Sequence, residues 1–88
     1  MIFLESKAIT LSQLDIGQSA VIEKINIENT LKKRISQLGI IEGGRIRKIL
    51  RSPFGDPCAY LIHSSVIALR AKDADRISVI PDNTSGDI

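Results

Sequence analysis

Short apolar runs alternate with polar turns along this chain, and a single stretch carries a helical period. Leu31, Ile35 and Leu38 recur at i, i+4 and i+7, which predicts a helix over Leu31 to Leu38 with Lys32, Lys33 and Arg34 off the stripe. Asn29 or Thr30 is suited to cap its start. Gly39 falls where a helix reverses through a left-handed residue, and Ile40 is placed to close an apolar contact across that reversal. The other apolar runs read as strands: Ser19 to Ile25, Arg45 to Arg51, Cys58 to His63, Val66 to Leu69 and Ile77 to Ile80. Within Arg45 to Arg51, the step from Ile46 to Ile49 breaks the period of two and predicts a bulge between them.

The punctuation between these runs is equally legible. Thr10 to Leu14 reads as a helical turn in which Gln13 reaches back to Thr10. Asp15 to Gln18 turns the chain, Gly43 and Gly44 form the turn after Glu42, and His63-Ser64-Ser65 is a tight hairpin connection. Lys72 to Asp75 reads as a short helical turn or loop. Five short strands around one helix predict a mainly β domain, a small and partly open β-barrel.

The connection Arg51-Ser52-Pro53-Phe54-Gly55-Asp56-Pro57 is the most constrained part of the chain. Pro53 and Pro57 fix φ near about −65° and remove two backbone donors, Gly55 supplies a positive φ, and Asp56 bonds nearby amides. Such a loop holds a shape. Phe54 then has two readings: an exposed anchor for a partner, or a plug for one end of the barrel.

Composition narrows the class. The chain has 88 residues, enough for one small domain, read here as 1–80 followed by a polar, disordered tail over 81–88. Its aromatics are Phe3, Phe54 and Tyr60, so the core must be built from Ile, Leu and Val. Cys58 is the only cysteine, which excludes an internal disulfide and a paired-cysteine zinc site and fits a reducing compartment. The start lacks the basic region of a leader peptide, and no run approaches the roughly 20 apolar residues of a membrane span. A cytoplasmic location is expected. Net charge is +2, yet residues 32–51 carry seven basic side chains against Glu42 alone. That asymmetry suits nucleic acid, acidic lipid or an acidic protein surface.

Catalysis is poorly supported. His63 and Ser64 are adjacent on a presumed strand edge and point to opposite faces, which spoils a triad with Asp56. Cys58 and His63 lie an odd number of residues apart, so they do not converge on a metal, although an ion bridging two copies stays open. No cofactor is expected. A small basic nucleic-acid-binding barrel is the alternative function, but Phe54 and Tyr60 are too few for a stacking platform, so specific nucleic acid is not an expected partner.

Three segments resemble one family. Arg34-Ile35-Ser36-Gln37-Leu38-Gly39-Ile40-Ile41-Glu42-Gly43, Arg51 to Pro57, and Ile67-Ala68-Leu69-Arg70 are similar in order and spacing to the signatures of the ferrous iron transport protein A (FeoA) family. The likeness covers about residues 9–80. It implies an SH3-like barrel, a cytoplasmic accessory role in ferrous iron uptake, and as partner a membrane iron transporter with a GTP-binding domain. The partner-binding residues are then expected in Arg51, Pro53, Phe54, Gly55, Asp56 and Pro57, with Gly39 and Gly43 as structural turns; weak self-association is left open. Two departures stand out: Glu42 occupies a position where the family often has proline, and Ser64-Ser65 replaces a glycine-bearing turn.

Overall fold

A computed structural model describes residues 8–82. In chain order it contains β1 (Ile9–Thr10), a 3-10 turn (Leu11–Gln13), β2 (Ser19–Ile25), α1 (Asn29–Ser36), β3 (Arg45–Arg51), β4 (Cys58–Ile62), β5 (Ser65–Leu69), α2 (Ala71–Ala74) and β6 (Ile77–Pro81). The strands form one antiparallel sheet in the order β1-β6-β2-β3-β4-β5. The two end strands do not pair with each other, so the barrel is partly open. β1, the strand that the apolar pattern omits, is two residues long, too short to show a period.

Two bulges let the short strands bury an aliphatic core. In β2 the register against β6 shifts between Ile22 and Lys24, so that Ile22 and Ile25 both point inward despite their odd separation. In β3 the shift falls between Lys48 and Leu50, one step later than the Ile46–Ile49 break suggests. The reason is that Lys48, not Ile49, follows Ile46 into the interior. The core otherwise gathers Leu11, Leu14, Ile22, Ile35, Ile40, Ile46, Ile62, Ile77 and Val79 around Tyr60.

The helix differs from expectation at its start. Its N-cap is Glu28, without a side-chain capping bond, and Asn29 and Thr30 lie inside the first turn. Of the stripe, Ile35 is buried and Leu31 half-buried, whereas Leu38 is 48% exposed because it stands past the last regular turn. The exit is a Schellman-type pair of bonds: Ile40 N–H donates to the Ile35 carbonyl at 3.2 Å and Gly39 N–H to that of Ser36 at 3.0 Å. Gly39 adopts φ +103°, and the apolar contact across it joins Ile35 and Ile40, both core residues.

β6 runs through Pro81, which pairs with Ala20, and the Asp82 N–H donates to the Ser19 carbonyl at 2.8 Å. The folded part therefore continues past residue 80 into the segment read as a tail. The rest of that segment, 83–88, lies outside the described residues, as do residues 1–7.

Candidate functional site: a pinned loop above a lysine-floored cleft

The loop from β3 to β4 is held at several points. Ser52 N–H donates to the Pro57 carbonyl at 3.2 Å, and Gly55 N–H donates to the Ser52 carbonyl at 2.8 Å. The second bond closes a β-turn with Pro53 and Phe54 as its central residues, and Gly55, at φ +86°, leads the chain out. Asp56 reaches across the molecule: its Oδ1 accepts from the Ala71 N–H, at the first residue of α2, at 2.8 Å. A carboxylate at a helix start meets both an orphan donor and the positive end of the peptide dipoles. Cys58 Sγ lies 3.7 Å from the Gly55 carbonyl.

Phe54 is 94% exposed at the tip of this construction, which overturns the plug reading. Among the described residues the buried aromatic is Tyr60, 1% exposed. Asp56→Ala is expected to cost about 1 kcal/mol by freeing the Ala71 amide, lowering the melting temperature by a few degrees. Thermal unfolding of that variant measures it.

Behind the loop lies a cleft of about 130 Å³ lined by Ser12, Lys48, Arg51, Gly55, Cys58, Tyr60, Leu69 and Ala71. Lys48 is 2% exposed, and its Nζ donates to the Ser12 carbonyl at 3.0 Å. The Ser12 hydroxyl donates in turn to Asp75, tying the 3-10 turn to the residue after α2. A lysine in mid-strand reads as a solvent residue, so sequence reasoning missed Lys48; the break in period beside it was the available signal.

Burial, and after it the neighbouring Cys58, Asp56 and Asp75, push the Tyr60 phenol from 10.0 up to about 12, with Arg51 opposing. Below pH 10 the phenol is neutral whether the chain is folded or not, and its contribution to stability is intact. Between pH 10 and 12 the unfolded chain ionises first, so stability falls as pH rises. Tyr60→Phe is expected to flatten that decline, as read from denaturant unfolding across this range.

The remaining candidates are dispersed. His63 is the first residue of the β4–β5 turn, at φ +56°, and its ring packs toward Gly39. Asp56 is engaged with α2 and Ser64 sits in the turn, so the triad residues do not assemble. Among the described residues no three His, Cys, Asp or Glu side chains gather as a metal-binding group. In the basic segment Arg45 pairs with Asp82, and Arg47 Nε donates to the Gly17 carbonyl at 3.1 Å. Gly43, at φ +88°, turns the chain before β3 and donates to the Ile22 carbonyl at 2.8 Å.

A partly open, six-stranded barrel with a stiff loop and an aliphatic core is an SH3-like domain, as the sequence resemblance implies. The chain belongs to the FeoA family, a family of ferrous iron transport: the FeoA domain matches residues 9–81. It is 35% identical over 69 residues to a Porphyromonas gingivalis fusion of Fe(2+) transport protein A with the Fe(2+) transporter FeoB, covering 78% of this chain and 8% of that protein. The chain thus spans only a small fraction of that relative. A solution structure of the FeoA protein from Chlorobium tepidum superposes with a TM-score of 0.78 at 25% identity, over 82% of this chain and 69% of that one. The Stenotrophomonas maltophilia FeoA, solved with zinc and described as a prokaryotic SH3 domain protein, gives a TM-score of 0.69 at 30% identity, over 88% of this chain and 93% of that one.

Proposed function

We propose that this domain is a cytoplasmic, non-enzymatic accessory protein of ferrous iron uptake that binds the GTP-binding part of the membrane iron transporter. The carrying observation is Phe54: a fully presented aromatic on a loop pinned to α2 by Asp56. Exposing a large apolar ring on a stiff support spares the ordering cost of binding and suits an interface anchor. Arg51, Pro53, Gly55, Asp56 and Pro57 set the shape around it. The Porphyromonas fusion supports the pairing, since there a domain of this family and a ferrous iron transporter share one chain. Among the described residues no helix is long and apolar enough to cross a membrane.

A nucleic-acid role lacks a stacking platform: of the two aromatics among the described residues, Phe54 is exposed and Tyr60 is buried. The test is calorimetric titration of the chain into the transporter's isolated GTP-binding domain, with GDP and with a non-hydrolysable GTP analogue. Saturable binding to the domain in at least one nucleotide state is expected. Absence of binding in both would contradict the assignment.

A further inference from the structure

Among the described residues, β5 is an unprotected sheet edge. It ends the sheet order, and its sequence Ser65-Val66-Ile67-Ala68-Leu69 contains no charge, no proline and no bulge. Proteins ordinarily blunt such edges with those devices, because a free row of N–H and C=O groups is a template for another strand. The β4–β5 hairpin closes through the two residues His63 and Ser64, with Ile62 opposite Ser65. In such a hairpin the closing pair is hydrogen-bonded, and bonded pairs then alternate. That alternation leaves the backbone groups of Val66 and Ala68 facing away from β4.

Side chains on the same edge extend the template. Val66 stands opposite Leu61, and Ala68 opposite Ala59, which in turn faces Leu50. Val66 is 62% and Leu50 59% exposed, so an apolar row crosses the outer face of three strands and stops at the free edge. β3, β4 and β5 contain no acidic residue, while Arg47 flanks the row beside Leu61 and Arg70 follows β5 directly.

We propose that β5 takes an added strand from the partner protein: an extended segment with apolar residues at alternate positions and acidic residues among them. Charge decides the occupant. A second copy's β5 is bounded by His63 and Arg70 and brings no carboxylate to Arg70, the basic residue that follows the edge directly, whereas an acidic partner segment does. Main-chain bonds supply affinity, and the Leu50–Ala59–Ala68 row selects the alternate side chains. The proposal rests on the binding role argued above and adds its mode and surface. The two surfaces are contiguous, since Cys58, which ends the Phe54 loop, pairs with Leu69 at the end of β5.

The test titrates isotope-labelled protein with twelve-residue synthetic peptides tiling the cytoplasmic part of the transporter. One acidic tile is expected to slow amide exchange at Val66 and Ala68 at least tenfold and to shift both resonances. Ala68→Pro, which removes an outward N–H and no ladder bond, is expected to weaken that tile at least tenfold. If Ala68→Pro does not fold, N-methylation of the tile at alternate backbone positions on the unaltered protein gives the same reading, with one alternating set abolishing binding and the other sparing it. A tile that perturbs only the Phe54 loop would overturn the β5 proposal and leave the binding role standing. No tile and no intact GTP-binding domain binding would overturn both. Protection of Val66 and Ala68 without peptide, in a dimer seen by sedimentation, would assign the edge to a second copy and overturn the proposed occupant.

Discussion

Gly39→Val is expected to lower the melting temperature by at least about 10 °C, and in so small a domain to leave a large unfolded fraction at 37 °C. Two effects add. Gly39 sits at φ +103°, where a β-branched residue is strained by roughly 1–2 kcal/mol. A Cβ there would also stand 2.9 Å from Ile62 Cγ2 and 3.2 Å from His63 Cδ2. Ile62 is a buried core residue of β4, so it cannot swing away, and overpacking of that kind costs typically about 1–3 kcal/mol. Gly43→Val separates the terms. Gly43 has a similar φ of +88° but nothing within 4 Å of its would-be Cβ, so that variant should show the backbone strain alone. Equal losses for the two variants, measured by thermal unfolding, would mean that the contact with Ile62 is not significant.

Tyr60→Ala is expected to be at least as damaging, at about 3–5 kcal/mol. Among the described residues Tyr60 is the aromatic in a core otherwise made of Ile, Leu, Val and Ala. It also floors the cleft beneath the Phe54 loop, beside Lys48, Arg51 and Cys58. Tyr60→Phe keeps the packing and removes only the hydroxyl, so it should stay folded at neutral pH. A Tyr60→Ala protein that melted within a few degrees of the unaltered chain would show that the core does not depend on this ring.

The elements that were legible in the sequence are those whose causes are local. The reversal after α1 rests on the short run from Ile35 to Ile40, and its glycine, its backbone bonds and its apolar contact all lie inside that window. β2 and β3 match their apolar runs end to end, because a half-buried strand writes its burial into alternate residues. Three features were not legible, for a shared reason. Lys48 is inward because its ammonium meets the Ser12 carbonyl, a partner 36 residues away. Asp56 finds Ala71 across 15 residues, so the loop's stiffness was readable from its prolines but its docking onto α2 was not. Phe54 was ambiguous because exposure is a property of the assembled barrel. The partner in a long-range contact is not written into the segment that makes it; at Lys48 the broken period marked the place but not the partner.

The central claim is that a rigid loop presents Phe54 to the transporter, and one variant measured two ways tests it most directly. Phe54→Ala is compared with the unaltered chain in thermal unfolding and in calorimetric titration against the transporter's GTP-binding domain. Because the ring is 94% exposed, the melting temperature should stay within about 2 °C, surface truncations being worth little to stability. Affinity should fall by roughly 30-fold or more, the scale of an interface anchor. A variant that melts normally and binds the domain at full strength would contradict the account.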